Sequence, residues 1–317
     1  MQANDDIALT DSPSQLQGGG RSLDGLYSRP GFKIRRAHQT AVSVFAAATA
    51  KLNITTSQYG ILHVMVLIAG LDQITLARLV GLDRSTTSLV LGLLEQRGLI
   101  ERAQHETDRR RRVLKITAAG RQLHESAQGP VALAISALMK PIAPNERGRF
   151  LDLLEHLVAS FTAPVEGATA ELLRELYRRP GFLIRRAHQI STAIFIEECR
   201  RFDITPTQFG LLFVLHQRPN LDQVTVARLA RFDRSTNATV VNLLEARGLI
   251  DRRVDIIDRR RRVLDLTPAG RLLLDDVTPC AQRARQRLVK CLSEPEAEFL
   301  LSKLDTIVVH FEKGAPV

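Results

Sequence analysis

An aspartate followed by four arginines stands at residues 108–112, and the same five residues return at 258–262. Guanidinium groups held in one short loop neutralise phosphates and release the counterions condensed on a duplex, and an arginine also fits a narrow minor groove. Alone, such a run reads equally well as a solvated turn. A second polar cluster upstream changes the balance. Arg84, Ser85, Thr86, Thr87 and Ser88 in one half, and Arg234, Ser235, Thr236 and Asn237 in the other, gather guanidinium, hydroxyl and amide groups within a few residues. On the first turns of a helix, those groups meet phosphates and base edges in a major groove. The candidate DNA contacts are these residues together with Arg109, Arg110, Arg111, Arg259, Arg260 and Arg261.

The flanking pattern supplies the elements that would position them. Leu76, Leu79 and Val80 fall at i, i+3 and i+4, the buried stripe of a short helix. Gly81 can end it in the left-handed conformation, and Asp83 or Ser85 can cap the next helix by accepting a backbone N–H. Val90, Leu93, Leu94 and Arg97 continue that second helix on one face, and Gly98 stops it. Leu99 and Ile100 open a strand, Glu101–Asp108 form a polar loop, and Val113–Thr117 return. Two short helices and an arginine-tipped hairpin make a winged helix-turn-helix, a DNA-reading unit. The expected class is mainly α with small β-wings (α+β), as two tandem winged helix-turn-helix domains.

The duplication is gapless. Phe182, Asp233 and Asp258 each stand 150 residues after Phe32, Asp83 and Asp108, and about half of 29–123 is identical to 179–273. Each copy is too large for a solenoid repeat and long enough to hold its own core. The first copy opens on a long helix, 29–52, that carries Arg-Pro-Gly-Phe and Ile-Arg-Arg-Ala-His-Gln. Thr55 or Thr56 caps a helix over Tyr59–Ile68. Thr117–Gly120 caps another from about Arg121 to Met139, with a kink expected at Pro130. A final amphipathic helix covers 145–161. The expected domains are a disordered tail over 1–22, a first repeat over 23–163, a linker over 164–170 and a second repeat over 171–317.

The chain has 317 residues, a formal net charge of +10 and 44% hydrophobic residues without tryptophan. The charge favours an anionic partner, and the cores should be aliphatic. No apolar stretch reaches the ~18 residues of a spanning helix, and the N-terminus lacks the basic region of a signal peptide, so no membrane partner and a cytoplasmic location are expected. Cys199, Cys280 and Cys291 all lie in the second copy without close spacing, against a disulfide framework. No metal-ligand spacing, nucleophile–base grouping or phosphate loop stands out, so neither an enzyme nor a cofactor is expected.

At Leu82–Thr86, Leu94–Ile100 and Asp108–Gly120, with their second-copy equivalents, the chain resembles the MarR family of bacterial transcriptional regulators. The likeness runs nearly the whole way from Leu23, but the family's chains usually carry one copy and pair as homodimers through interlaced terminal helices. The resemblance therefore implies an interlaced helical region joining the two units. It implies a one-chain pseudo-dimer on a pseudo-palindromic double-stranded DNA operator, or alternatively a further homodimer with four reading heads. It also implies a small aromatic or carboxylate effector between the dimerisation helices and the reading unit, with Arg36, His38, Phe45, Tyr59, His63, Arg186, His188, Phe195, Phe209 and Phe213 as candidates. The competing reading of those side chains is a packed interface. Functionally, a ligand-released repressor is expected, against a constitutive architectural DNA binder or an enzyme using the helix histidines. The copies differ at Thr87 against Asn237, His63 against Phe213, and Ala46–Ala48 against Ile196–Glu198. Unequal operator half-sites and tighter effector binding in the first copy are expected from these differences.

Overall fold

The computed structural model describes residues 22–104, 112–255 and 260–313. The first repeat holds α1 (Asp24–Tyr27), α2 (Pro30–Ala48), α3 (Thr56–Leu67), α4 (Gln73–Val80) and α5 (Arg84–Gln96). Then come β1 (Ile100–Gln104), β2 (Arg112–Ile116), α6 (Ala118–Met139) and α7 (Pro144–Ala159). The second repeat runs α8 (Gly167–Tyr177), α9 (Pro180–Glu198), α10 (Pro206–Gln217), α11 (Gln223–Ala230), α12 (Arg234–Ala246), β3 (Ile250–Val254), β4 (Arg262–Leu266), α13 (Pro268–Val289) and α14 (Glu294–Glu312).

Caps explain most boundaries. Thr55 and Thr205 each form a reciprocal capping box with Gln58 and Gln208, which starts α3 and α10. Asp72 and Asp222 cap α4 and α11, and Asp83 and Asp233 cap α5 and α12. Gly81 closes α4 at φ 62°, where only glycine is unstrained; the second copy puts Arg231 there at φ 56°. Thr117 caps α6 while its hydroxyl donates to Gly98 O, and Thr267 donates likewise to Gly248 O. Gly120 lets α6 lie on the hairpin: a Cβ there would stand 2.1 Å from Leu99 O.

Each wing is an antiparallel pair, Ile100 opposite Ile116 and Ile250 opposite Leu266. Leu114 N donates to Leu71 O and Leu264 N to Leu221 O, so the return strand is also tied to the segment before α4 or α11.

Several expectations shift. The first long helix stops at Ala48, and one 3-10 turn, Ala50–Leu52, leads to Asn53 at φ 48°. Arg97 does not continue the face of α5. Its guanidinium donates to Asn53 O and Leu52 O and secures that turn. Leu93 is exposed, and Leu91 with Val90 and Leu94 fills the core instead. β1 extends to Gln104 into the expected loop, α6 continues helical through Pro130, and α8 begins inside the expected linker.

The chain packs as two compact units, and their boundaries fall inside α2 and α9 rather than between the repeats. One unit comprises Ile34–Ile190 with Val289–Phe311; the other comprises Ser191–Leu288 with the segment through Lys33. Each reading head is thus packed by helices of the opposite repeat. Leu173 and Leu176 of α8 join the core of α3, α4 and α5, and Tyr177 donates to Leu79 O. Reciprocally, Leu23 and Leu26 pack with Val214 and Ala230, and Tyr27 donates to Leu229 O. These exchanged contacts are the interlaced helices.

Candidate nucleic-acid interface and ligand cavity

The recognition helices begin on a carboxylate. Asp83 accepts from Ser85 Oγ at 2.6 Å, Thr86 Oγ1 at 2.6 Å and Thr86 N at 2.8 Å, and these bonds hold its carboxyl well below the usual carboxylate range. Asp233 repeats this with Thr236 and Ser235 and is lowered in the same way. The hydroxyls of Ser85, Thr86, Ser235 and Thr236 therefore already donate, and toward a duplex they offer lone pairs. Arg84, Ser85 and Ser88 are exposed and Thr86 is half-buried; Arg234 and Ser235 are exposed and Thr236 half-buried.

Two candidates leave this surface. Thr87 is fully buried, its Oγ1 donating to Asp83 O, and Asn237 is 2% exposed with Nδ2 donating to Gln223 O. They sit one residue inward of the exposed face, where a helical step of 100° turns them to the core. The positions of these helices that differ between copies and are exposed in at least one of them are instead Ser88 against half-buried Ala238, Leu89 against Thr239, half-buried Gly92 against Asn242, and Gln96 against Ala246.

Arg109, Arg110, Arg111 and Arg259 lie outside the described residues. Arg260 is exposed, and Arg261 is held by Asp222, the cap of α11, at 2.6 Å. The base of each wing is braced to its recognition helix at the same place, Arg102 to Glu95 at 3.3 Å and Arg252 to Glu245 at 2.8 Å.

A cavity lies within the first unit, between α2, α3, α6 and the start of α9. Its apolar wall is Val42, Phe45, Val131, Ile135, Leu138 and Phe182; Tyr59 and Gly60 line it from α3. Its polar side is His38, Thr56, Ser57, Arg179 and Arg185. Arg179 Nη1 and His38 Nδ1 are buried without a hydrogen-bond partner. Arg179 also lies over the Tyr59 ring, 5.5 Å from its centroid. Arg185 reaches from the cavity wall to the reading head: Nη2 donates to Val80 O at 2.5 Å and Nη1 to Gly81 O at 2.9 Å. Burial, then neighbouring Arg186, lowers the Arg185 guanidinium to about 10.

Among the expected effector residues, His38, Phe45 and Tyr59 line this cavity. Arg36 instead donates to Gln39, and Arg186 to Gln189 and Gly81 O. His63 stands behind Tyr59, its Nδ1 2.9 Å from His124 Nε2; burial, then Arg179 and His124, brings its imidazole down to about 4. His188 stacks on His38. In the second unit Phe195, Phe209 and Phe213 form a ring cluster, with centroids 5.6 Å and 6.1 Å apart along the series. Glu197 pairs with Arg287, and Glu198 with Arg283 and Arg287. Sequence reasoning missed Arg179 and Arg185. Arg185 lies three residues before His188 on the same helical face, a readable signal, but its partners belong to the opposite repeat.

The three cysteines are free, and burial, with Cys280 beside it, pushes the Cys199 thiol up to about 12. Among the described residues no acidic, histidine or cysteine group is arranged to hold a metal, and no helix is long and apolar enough to cross a membrane.

Residues 52–111 and 202–261 each match the family model described as MarR family. The transcriptional repressor NicR of Pseudomonas putida is 28% identical over 147 residues, covering 46% of this chain and 90% of its own. A putative transcriptional regulatory protein for the hcr operon of Thauera aromatica is 34% identical, covering 44% of this chain and 86% of its own. Among solved structures, the repressor CouR bound to a 23-mer DNA duplex is 29% identical, with a TM-score of 0.41, over 46% of this chain and 99% of that one. Bordetella bronchiseptica BpsR, described as regulated in DNA binding by 6-hydroxynicotinic acid, is 27% identical, with a TM-score of 0.39, over 49% and 100%.

Proposed function

The chain belongs to the MarR family of DNA-binding transcription regulators, a non-enzymatic family, and on that premise we propose that it is a cytoplasmic repressor released by a small aromatic acid. One chain supplies both reading heads and engages a pseudo-palindromic operator whose half-sites lie ~34 Å apart. Arg84, Ser85, Thr86, Ser88, Arg234, Ser235 and Thr236 meet the major groove. Arg109–Arg111 and Arg259–Arg261 hold backbone or minor groove. The reciprocal packing of α1 and α8 supports the pseudo-dimer, since each head is completed by the other repeat of the same chain.

The observation that carries the effector reading is Arg185. Its guanidinium faces the cavity and holds the two carbonyls that end α4, and the turn after them sets α5. A carboxylate entering beside Arg179 and His38 adds a charge–charge attraction with Arg185, and a planar two-point fit, that the bonds to the neutral carbonyls lack. The planar ring lies against Phe45, Val131 and Ile135. Release of Val80 O and Gly81 O then lets the α4–α5 turn move, and the first recognition helix loses its register on the groove.

Fluorescence anisotropy on DNA selected from a random pool tests this. Titration with benzoate or 6-hydroxynicotinate should weaken DNA binding, and Arg185→Ala, which itself frees Val80 O and Gly81 O, should weaken DNA binding without any acid and abolish the further response to it. DNA binding that ignores every aromatic acid in a broad panel would favour the constitutive architectural reading.

A further inference from the structure

The two halves are not equivalent at the cavity. Gly60 and Gly210 hold the same position in α3 and α10. A Cβ built on Gly60 meets nothing within 4 Å, whereas one on Gly210 meets Phe232 Cζ at 3.8 Å and Leu26 Cδ1 at 4.0 Å. Gly181 and Gly31 repeat the contrast: open space within 4 Å at Gly181, Ser191 Oγ at 2.7 Å at Gly31. The filling atoms come from substitutions between the copies. Phe232 stands where the first copy has Leu82, and Ser191 where it has Ala41; Leu82 and Ala41 both line the open cavity.

The arginines differ too. Arg179 keeps a buried Nη1 with no partner. Its counterpart Arg29 lies over two rings, 4.9 Å from the Phe209 centroid and 5.8 Å from that of Phe213, and its Nε donates to Gly25 O. Phe213 replaces His63 and packs so closely on Gly25 that an added Cβ there would be 3.0 Å from its ring; the other repeat has Glu175 at that glycine's position. Each change supports the next: a larger ring, a glycine to receive it, and an arginine engaged between rings.

We infer that the chain is a one-effector switch: the first cavity takes the aromatic acid, and its second-copy counterpart has become a filled apolar plug that takes none. This rests on the reading of the first cavity as the effector site. One site suffices for release because two heads on one chain bind DNA by avidity, and disabling either head forfeits an enhancement of roughly 10²–10⁴. The response to effector is then hyperbolic, without cooperativity between sites.

The test is titration calorimetry of the full chain with benzoate and with 6-hydroxynicotinate, paired with thermal unfolding of Gly60→Leu and Gly210→Leu. Saturation at one acid per chain, with the affinity lost about a hundredfold or more in Gly60→Leu, upholds the inference. Two acids per chain, or a single site that survives Gly60→Leu, overturns it. If neither these nor any acid of a broad aromatic panel binds, the effector reading fails and the one-effector switch with it, and unfolding then decides only whether the two halves differ as open and filled. Gly60→Leu with an unchanged or raised Tm beside a lowered Tm for Gly210→Leu upholds the open and filled halves, and equal losses overturn them.

Discussion

His38 and His188 occupy the same position of the two repeats and stack on each other, ring centroids 5.0 Å apart at an interplanar angle of 26°. Contact between equivalent positions is the mark of a self-complementary interface, here made within one chain. Both Nδ1 atoms are buried without a partner. Burial first, then the facing imidazole and Arg185, brings His38 down to about 4; burial, then Arg35, does the same to His188.

A pH window follows. His38, His63 and His188 fold as neutral imidazoles at about 4, below their ordinary value of 6.5. Between those values the unfolded chain binds more protons, so stability is full above about 6.5 and falls as pH drops toward 4. Melting temperature measured from pH 7.5 to 4.5 should decline through this range. The double change His63→Phe with His124→Leu installs the second copy's residues and should flatten the decline; an unaltered slope would refute the assignment.

Asp83 caps α5 with three hydrogen bonds. Asp83→Ala should cost about 1 kcal/mol, and Asp83→Asn less, because the amide oxygen still accepts from Thr86 N. Chemical denaturation of the two variants checks the order. Equal losses would mean that charge, not capping, sets the contribution.

Two glycines of α6 make an internal control. Gly120→Ala brings a Cβ to 2.1 Å from Leu99 O and should destabilise by at least about 1–3 kcal/mol through forced backbone movement. Gly129 has nothing within 4 Å beyond its own helix and chain neighbours, but Pro130 follows it and disfavours a helical residue with a Cβ there, so Gly129→Ala should change stability far less than Gly120→Ala. Equal downward shifts of the two denaturant midpoints would contradict the packing of α6 on the hairpin.

Arg231 sits at φ 56° where the first copy has Gly81. Left-handed backbone costs a side-chain-bearing residue about 1–2 kcal/mol, and the half-exposed pair with Glu312 at 3.5 Å returns little. Arg231→Gly should therefore raise the melting temperature, while Gly81→Arg should lower it, since a Cβ at Gly81 also meets the Arg186 side chain at 2.7 Å.

The winged helix-turn-helix was legible because its signals are local. Leu76, Leu79 and Val80 announce a stripe, Asp83 a cap, and Gly81 and Gly98 the stops. Thr87 was misread because polarity does not report direction, and on α5 one residue separates the solvent face from the core. The cavity was half legible. His38, Phe45 and Tyr59 lie on helices whose order the sequence sets, but Arg179 and Arg185 come from the opposite repeat, and no periodicity within one copy reports that exchange. The filled second site was visible as a substitution, His63 to Phe213, yet its meaning needed Gly25, 188 residues upstream (213 − 25).

Correcting Thr87 and Asn237 moves the source of operator asymmetry without removing it. Leu89 is 66% exposed on the first recognition helix, and Thr239 is exposed in its place on the second. Ser88 beside it faces Ala238. An exposed leucine among hydroxyls suits the methyl group of a thymine, whereas threonine offers a hydroxyl as well, its Oγ1 here donating to Ser235 O at 3.1 Å. On the proposed reading, two heads with different exposed side chains in one chain should read two different half-sites. Selection from random DNA should return an operator whose halves differ at the base pairs facing these positions. The double change Ser88→Ala with Leu89→Thr gives the first head the second's side chains and should shift selection toward a symmetric operator, each altered base pair changing affinity by about 1–3 kcal/mol. A perfect palindrome selected by the unaltered chain would show instead that both heads read only what Arg84 and Arg234 have in common.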